Sequence, residues 1–426
     1  MTIIIFVVSI CGAMMLGMPI AFALLFCGVC LMAYLGMMDP RLLAQQFISG
    51  ADNYPLMAIP FFLLVGQAMN AAGISTRIVK FAMTLVGHVR GGMGYVAIIT
   101  AFIFGGLSGS AVSDAAVLCA IMVPMMAQMH YDRGSSAALI GSAGINALII
   151  PPSMSFIIFG AISGVSVVKL FMAGLIPAVV MSIGLAIVWF FVSRRMNCDV
   201  HKRSSLKEVW VSFRESFWAL LLPVIIIVGI RMGVTTPTEA AVIAVFYTVF
   251  LNFVIYRQLN VKQFIKVIIE GAKTSSVIMF LIASAMISAW MIGIANIPAL
   301  ITTVLAPFLS HPILLMIAIN VLVLLVGTAL DSTPTVLLLT PVLMPIINAA
   351  GIDPVYFGVI FVLNNAIGLL TPPVGTVLNA ACAGGRVSMD EMLVKVLPFL
   401  AVEVVVLILL TLIPQLTIIP YHLLTN

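Results

Sequence analysis

Apolar residues run through this chain in long blocks, and the polar positions fall between the blocks or in a few tight clusters within them. The blocks at 2–36, 55–74, 171–192, 216–233, 237–256, 274–296 and 396–418 predict helices. A helix needs about 20 mainly apolar residues to cross a hydrocarbon core of about 30 Å. Arg194, Arg195, Lys202, Arg203, Lys207 and Arg214 form one hydrophilic loop, and Arg257, Lys262 and Lys266 another. Excess Lys and Arg marks cytoplasmic loops. Counting spans back from Arg194 places Arg133, Arg90, His88, Lys80 and Arg77 on the cytoplasmic side too. On this count 2–36 is one crossing from inside to outside, and 55–74 returns. Two weaker patterns suit helices lying at the interface: 257–270, with Leu259, Val261, Phe264, Ile265 and Ile268 among Lys and Gln, and 40–50.

Two stretches break the rule of one block per crossing. Residues 91–129 hold two short apolar arms around GGLSGSAVSD, 105–114, and 312–349 hold two more around GTALDSTP, 327–334. Each arm is short of the length a relaxed span needs. The pattern therefore predicts two re-entrant hairpins, with Arg90 and Arg133 at the cytoplasmic base of the first. Ser310, His311 and Asp353 stand at the opposite base of the second. A proline-interrupted helix follows each hairpin: 134–164, broken at IIPPS (149–153), and 354–382, broken at TPPVG (371–375). Asp114 and Asp331 share an offset of 217 residues with Pro124 and Pro341, and the Pro-Pro pairs match with a four-residue shift. The same elements in the same order, entering from opposite faces, predict an all-α polytopic membrane protein built as an inverted-topology repeat. The first repeat covers 1–193. A basic loop and extra helix occupy 194–236, and the second repeat covers 237–426.

Composition agrees. The 426 residues are 63% hydrophobic and 8% charged, where a soluble domain carries about a quarter charged. A barrel would show short alternating segments instead. The net charge of +5 is accounted for by the loops and calls for no nucleic acid. The first forty residues hold no Lys or Arg, so a retained helix is expected and not a cleaved leader. Cys11, Cys27, Cys30, Cys119, Cys198 and Cys382 show no metal-type pairing with histidine and read as small apolar filler.

The chemistry sits at the tips and breaks. Proline removes a backbone donor and frees carbonyls in the preceding turn, and in hydrocarbon those carbonyls need a partner. Na+ is such a partner, through carbonyls and the hydroxyls of Ser and Thr, while the glycines allow close backbone approach. Helix N-termini at the breaks favour an anionic substrate. Gly327, Thr328 and Thr333 belong to the second tip. Asp114 and Asp331 suit either capping of the second arm or ion ligation. Glu239, in TTPTEA, suits a cap. Asn364 and Asn365 suit a helix–helix hydrogen bond or substrate contact.

GGLSGSAVSD, IIPPS, TPTEA and GLLTPPVG, in this order, resemble the large membrane subunit of tripartite ATP-independent periplasmic (TRAP) transporters over essentially the whole chain. The resemblance implies an elevator-type, Na+-driven importer of an organic acid in the bacterial inner membrane. It implies a small four-helix membrane subunit as scaffold and a periplasmic binding protein as donor, with no cofactor beyond Na+. Sodium sites are then expected at Ser108, Gly109 and Ser110 with Pro151, and at Gly327 and Thr328 with Gly368, Thr371 and Val374. Asp114, Ser153, Asp331, Thr333, Asn364 and Gly375 are expected to bind substrate or cap these sites. GINALIIPPS (144–153) departs from the family at Asn146, where a lead-in richer in glycine and proline is expected. The chain shows no four-helix extension, so the small subunit is expected as a separate polypeptide.

Two rivals remain at this point. One is a stand-alone Na+-dicarboxylate symporter. The other is an intramembrane serine protease, since Gly106-Leu107-Ser108-Gly109 matches a G-x-S-G motif. Its serine needs a histidine base within reach, and His88, His130, His201, His311 and His422 all lie at segment ends or in loops. No G-x-x-x-x-G-K-[ST] phosphate loop is present.

Overall fold

The computed structural model describes residues 1–196, 198–301, 309 and 311–425. Ser310, expected at the base of the second hairpin, lies outside the described residues. Every regular element among the described residues is helical, and eight of these helices are long and apolar enough to cross a membrane. Their starts are fixed by side chains in the connecting loops. Ser205 with Glu208, Thr236 with Glu239 and Asn260 with Gln263 each form a reciprocal capping box. Glu239 is thus the expected cap.

Both hairpins are present, but their second arms, Ala111–Gln128 and Ser332–Ala349, are not too short to cross and are among the eight. Gly92–Ser108 turns back into Ala111–Gln128, and Pro312–Gly327 into Ser332–Ala349. Both breaks are present too. The first interrupted helix runs Arg133–Gly144, then a tight turn Ile145–Leu148, then Met154–Ser163; the second runs Pro354–Gly368, then Thr376–Gly385. Asp132 and Asp353 cap the two interrupted helices at equivalent places, accepting from the amides of Ser135 and Tyr356. A long helix follows each, Val167–Arg194 and Met389–Leu412.

The two sets interlock. The second arm of the first hairpin, Ala111–Gln128, packs along Thr376–Gly385 from the far half of the chain, and Ser332–Ala349 packs along Met154–Ser163. Gly384 makes the first contact possible, because any side chain there would run into the Ala116 carbonyl. Phe159 packs against the stacked pair Phe357 and Phe361, with ring centroids 6.1 and 6.0 Å away. The first tip and break are thereby buried, while the second break stays partly exposed.

Two expectations are corrected. Residues 2–36 are two antiparallel helices, Thr2–Met15 and Ile20–Tyr34, with the Cys27 thiol 3.7 Å from the Phe6 carbonyl oxygen. Gly17 takes a left-handed φ of +80°, and Pro19 has no amide to extend the first helix. Met1 and Leu35 therefore lie at the same end. Residues 257–296 are not an interfacial helix followed by a span. Val261–Ile294 is one helix of 34 residues, about 51 Å long. Nothing between Glu270 and Thr274 breaks it, and Gly271 lets it pack closely on Gln67.

Candidate functional site

The first tip is a closed turn. Gly109 carries it with φ +62°, the Ser110 amide donates to Ser108 Oγ at 3.1 Å, and the Ser108 hydroxyl donates to the Asp114 carboxylate. Asp114 stands one turn into the second arm and does not cap it. Its carboxylate closes the turn from inside, is fully buried, and leaves Oδ2 without a partner.

The first break lies directly against this turn. A Cβ on Gly109 would stand 2.6 Å from the Pro152 carbonyl oxygen, and one on Gly106 would stand 3.3 Å from that of Pro151. Ser153 spans the break: its hydroxyl donates to the Leu148 carbonyl and accepts from the Phe156 amide at 3.2 Å. It is the N-cap of the second half of the helix. Ser108, Gly109, Ser110, Pro151, Asp114 and Ser153 thus come together, and Gly66 from Ala58–Ala71 closes over Ser108. Asn146, the departure noted above, donates to Ser182 Oγ at 3.1 Å and leaves its Oδ1 unpartnered.

The second tip meets its break through backbone. Gly327 and Gly368 touch main chain to main chain, a contact that a Cβ on either would close to 3.2 or 2.8 Å. The amides of Val374 and Gly375 both donate to the Thr328 carbonyl at 3.3 Å. Asp331, unlike Asp114, does cap its arm: it accepts from the Ser332 amide at 2.8 Å, and the Thr376 hydroxyl reaches it at 3.4 Å. Thr333 sits half-buried in the first turn of that arm. Thr371 is in the break, but its hydroxyl donates to the Ile367 carbonyl of its own helix at 2.9 Å. Pro151, Pro152 and Ser153 are buried, whereas Pro372, Pro373 and Val374 are exposed.

Asn364 falls away from the site. Its amide donates to the Asn320 carbonyl at 2.7 Å and to Asn320 Oδ1 at 3.1 Å, and Asn320 continues to Thr411 at 2.9 Å. This is helix–helix hydrogen bonding. Asn365, one position on and so about 100° round the helix, faces the tip. Its Nδ2 donates to Ser332 Oγ at 3.0 Å, and its buried Oδ1 has no partner.

Three residues emerge that the sequence reading did not place in a site. Ser155 and Ser332 bond hydroxyl to hydroxyl at 2.7 Å, joining the first interrupted helix to the second tip. Nothing local in the sequence relates two serines 177 positions apart. Glu403 is fully buried within Met389–Leu412, with both carboxylate oxygens unpartnered. A single acid inside the apolar block 396–418 was a visible signal for it.

The donor set is of the kind that a hard cation requires. Carbonyls of Pro151 and Pro152, the Ser108 hydroxyl and the free Asp114 oxygen are hard oxygen ligands at one place. The free Asn365 oxygen and the backbone of Gly327 and Gly368 are gathered at the other. No histidine joins Ser108: His130, for one, pairs at the surface with Asp199 at 2.8 Å.

Comparison with known proteins bears on the same point. The chain is 48% identical over 99% of both lengths to the 2,3-diketo-L-gulonate TRAP transporter large permease protein YiaN of Escherichia coli. It is 36% identical over 95% of both lengths to the sialic acid TRAP transporter large permease protein SiaM of Vibrio cholerae. The crystal structure of the Alcanivorax borkumensis YdaH transporter superposes with a TM-score of 0.65 at 13% identity, over 87% of this chain and 86% of that one, which supports the fold. The two TRAP relatives are large permeases of the inner membrane and not enzymes. Residues 7–416 match the family described as tripartite ATP-independent periplasmic transporter, DctM component, and with two helical hairpins set on two proline-broken helices the chain belongs to that family of large TRAP permeases.

Proposed function

We infer that this permease imports an organic acid together with Na+, in an elevator motion of the hairpins and broken helices. A periplasmic binding protein delivers the acid, and a small membrane subunit is the scaffold. The observation that carries the reading is the pairing of each tip with a break. Each pair leaves one buried side-chain oxygen without a donor, Asp114 Oδ2 and Asn365 Oδ1, as an oxygen awaiting a cation would be. Ser108, Asp114 and the Pro151 and Pro152 carbonyls would hold one Na+. Asn365 with the backbone at Gly327, Thr328 and Gly368 would hold another. The bound ions would then tie tip to break and present the starts of Met154–Ser163 and Thr376–Gly385 to a carboxylate. Ser155 and Ser332, joined at the centre, lie where such a substrate would contact both halves. Relatives named for sugar acids support an organic acid as cargo.

The test is uptake into proteoliposomes holding both membrane subunits, supplied with loaded binding protein and a sodium gradient. Uptake should vanish when choline replaces Na+ and be indifferent to ATP. Undiminished uptake in choline refutes sodium coupling. Equal uptake by this chain alone, without binding protein, would favour the stand-alone symporter.

A further inference from the structure

The geometry points to Glu403 as a membrane-buried proton-binding site, read by the first broken helix through Ser142. Glu403 lies fourteen residues into Met389–Leu412, about 21 Å along it, and so near the middle of the bilayer. Its side chain is fully buried, and neither oxygen has a hydrogen-bond partner. The Ser142 side chain, on the packed helix Arg133–Gly144, faces it and is likewise buried and without a hydrogen-bond partner. A lone carboxylate is not held in such surroundings; a counter-charge, a metal cation or a proton neutralises it.

Among the described residues, the helices packed most closely against Met389–Leu412 supply no counter-charge. Arg133–Gly144 carries only Arg133, at its far end. Val167–Arg194 carries Lys169 and Arg194, at its two ends. Pro354–Gly368 carries Tyr356, whose hydroxyl is bound to the carbonyls of Leu410 and Thr411, two turns on. Thr376–Gly385 carries Cys382, held against Met392, and Pro312–Gly327 carries no titratable group. On its own helix, Lys395 pairs with Asp132 at 3.6 Å, and Asp390 and Glu391 lie in the first turn. A metal cation needs several oxygens, and the facing group here is one hydroxyl. A proton needs only the carboxyl itself.

The position links that proton to the transport machinery. Ser142 precedes Asn146 by about one turn, and the turn at Asn146 leads into the first break, with the Ile150 amide on the Asn146 carbonyl at 2.9 Å. Ionising Glu403 turns the Ser142 hydroxyl into its obligatory donor, and a shift of the break that withdraws Ser142 favours the protonated form. This proposal rests on the fold, and only the NaCl shift expected below draws on the sodium sites proposed above.

Infrared difference spectroscopy on the purified protein tests it. Wild type should show the carbonyl-stretch band of a protonated carboxylic acid, lost in Glu403→Gln and diminished on raising pH. Its pH midpoint should differ between NaCl and choline chloride. Absence of the band in wild type at every pH overturns the proposal. So does a band that neither pH nor NaCl moves, since the proton is then structural only. If Glu403→Gln does not fold, Ser142→Ala leaves the carboxyl in place and must shift the same band; an unshifted band overturns the assignment. The choline arm reads the protonated carboxyl even if transport proves independent of Na+.

Discussion

Replacing Gly109 by alanine separates the tip from the break in a way that can be sized. Gly109 adopts φ +62°, and a left-handed alanine costs about 1–2 kcal/mol. The added methyl would also stand 2.6 Å from the Pro152 carbonyl oxygen. Restoring ordinary contact at 3.4 Å requires tip and break to part by about 0.8 Å. That motion would pull Ser108 and Asp114 away from the Pro151 and Pro152 carbonyls. Losing one charge-assisted contact is worth about 1.5–3 kcal/mol, or about ten- to hundredfold in sodium affinity. Gly164 supplies the control. Its φ is +74° and a Cβ there meets nothing within 4 Å, so Gly164→Ala carries the backbone strain without the clash. The assay is the melting temperature in detergent as NaCl replaces choline chloride, because a bound ion stabilises the folded state by RT ln(1 + [Na+]/Kd). Gly109→Ala should move the sodium concentration at which the melting temperature begins to rise upward ten- to hundredfold, and Gly164→Ala should leave it unchanged. If the two variants titrate alike, the close approach of tip and break does not serve sodium.

Other predictions follow from single contacts. A double-mutant cycle of Ser155→Ala and Ser332→Ala, read by thermal unfolding, should give a coupling of about 0.5–1.5 kcal/mol; additive effects would mean that the hydroxyls do not meet. In a cysteine-free background, cysteines at Arg133 and Asp353 should label with impermeant reagents from opposite faces of the membrane, and cysteines at Thr2 and Leu35 from the same face. Labelling of Thr2 and Leu35 from opposite faces would restore the single crossing. Burial raises the Asp132 carboxyl, but the Ser135 hydrogen bonds and Lys395 outweigh it and hold it below the usual range. Its contribution to stability is therefore present above about pH 4 and lost as pH falls below it. Melting temperature should fall over that interval in wild type and less steeply in Asp132→Asn; parallel curves would exclude the pair with Lys395.

The parts legible in the sequence were those where polar or helix-breaking residues stand where hydrocarbon is expected. GGLSGSAVSD and the two Pro-Pro pairs announce themselves, because membrane-depth backbone without helix needs a reason. The turn at Gly17–Pro19 does not: its neighbours Met15, Leu16 and Met18 are as apolar as the helices they join, so no polar signal separates two short helices from one crossing. The continuity of Val261–Ile294 was hidden the other way. Arg257, Lys262 and Lys266 suggested a boundary, but charge alone does not end a helix. The choice between Asn364 and Asn365 turns on helix phase against distant partners, Asn320 for one and Ser332 for the other. Thr371 was placed correctly in the break, yet rotated onto its own helix. Such facts belong to packing and have no local pattern.

The crossed packing of the hairpins has a consequence for how the chain is made. Ala111–Gln128 finds its far-half neighbour in Thr376–Gly385, which leaves the ribosome some 250 residues later. At synthesis rates of about 5–20 residues per second, the first hairpin's second arm waits roughly 10–50 s before that neighbour exists. During that interval its face toward Thr376–Gly385, including Ala116, which later receives Gly384, is without that neighbour. The second hairpin has no such delay, since Met154–Ser163 is in place before Ser332–Ala349 emerges. The two halves, alike in architecture, therefore assemble under opposite conditions, one as a vacancy held open and the other as a piece that arrives to a waiting partner.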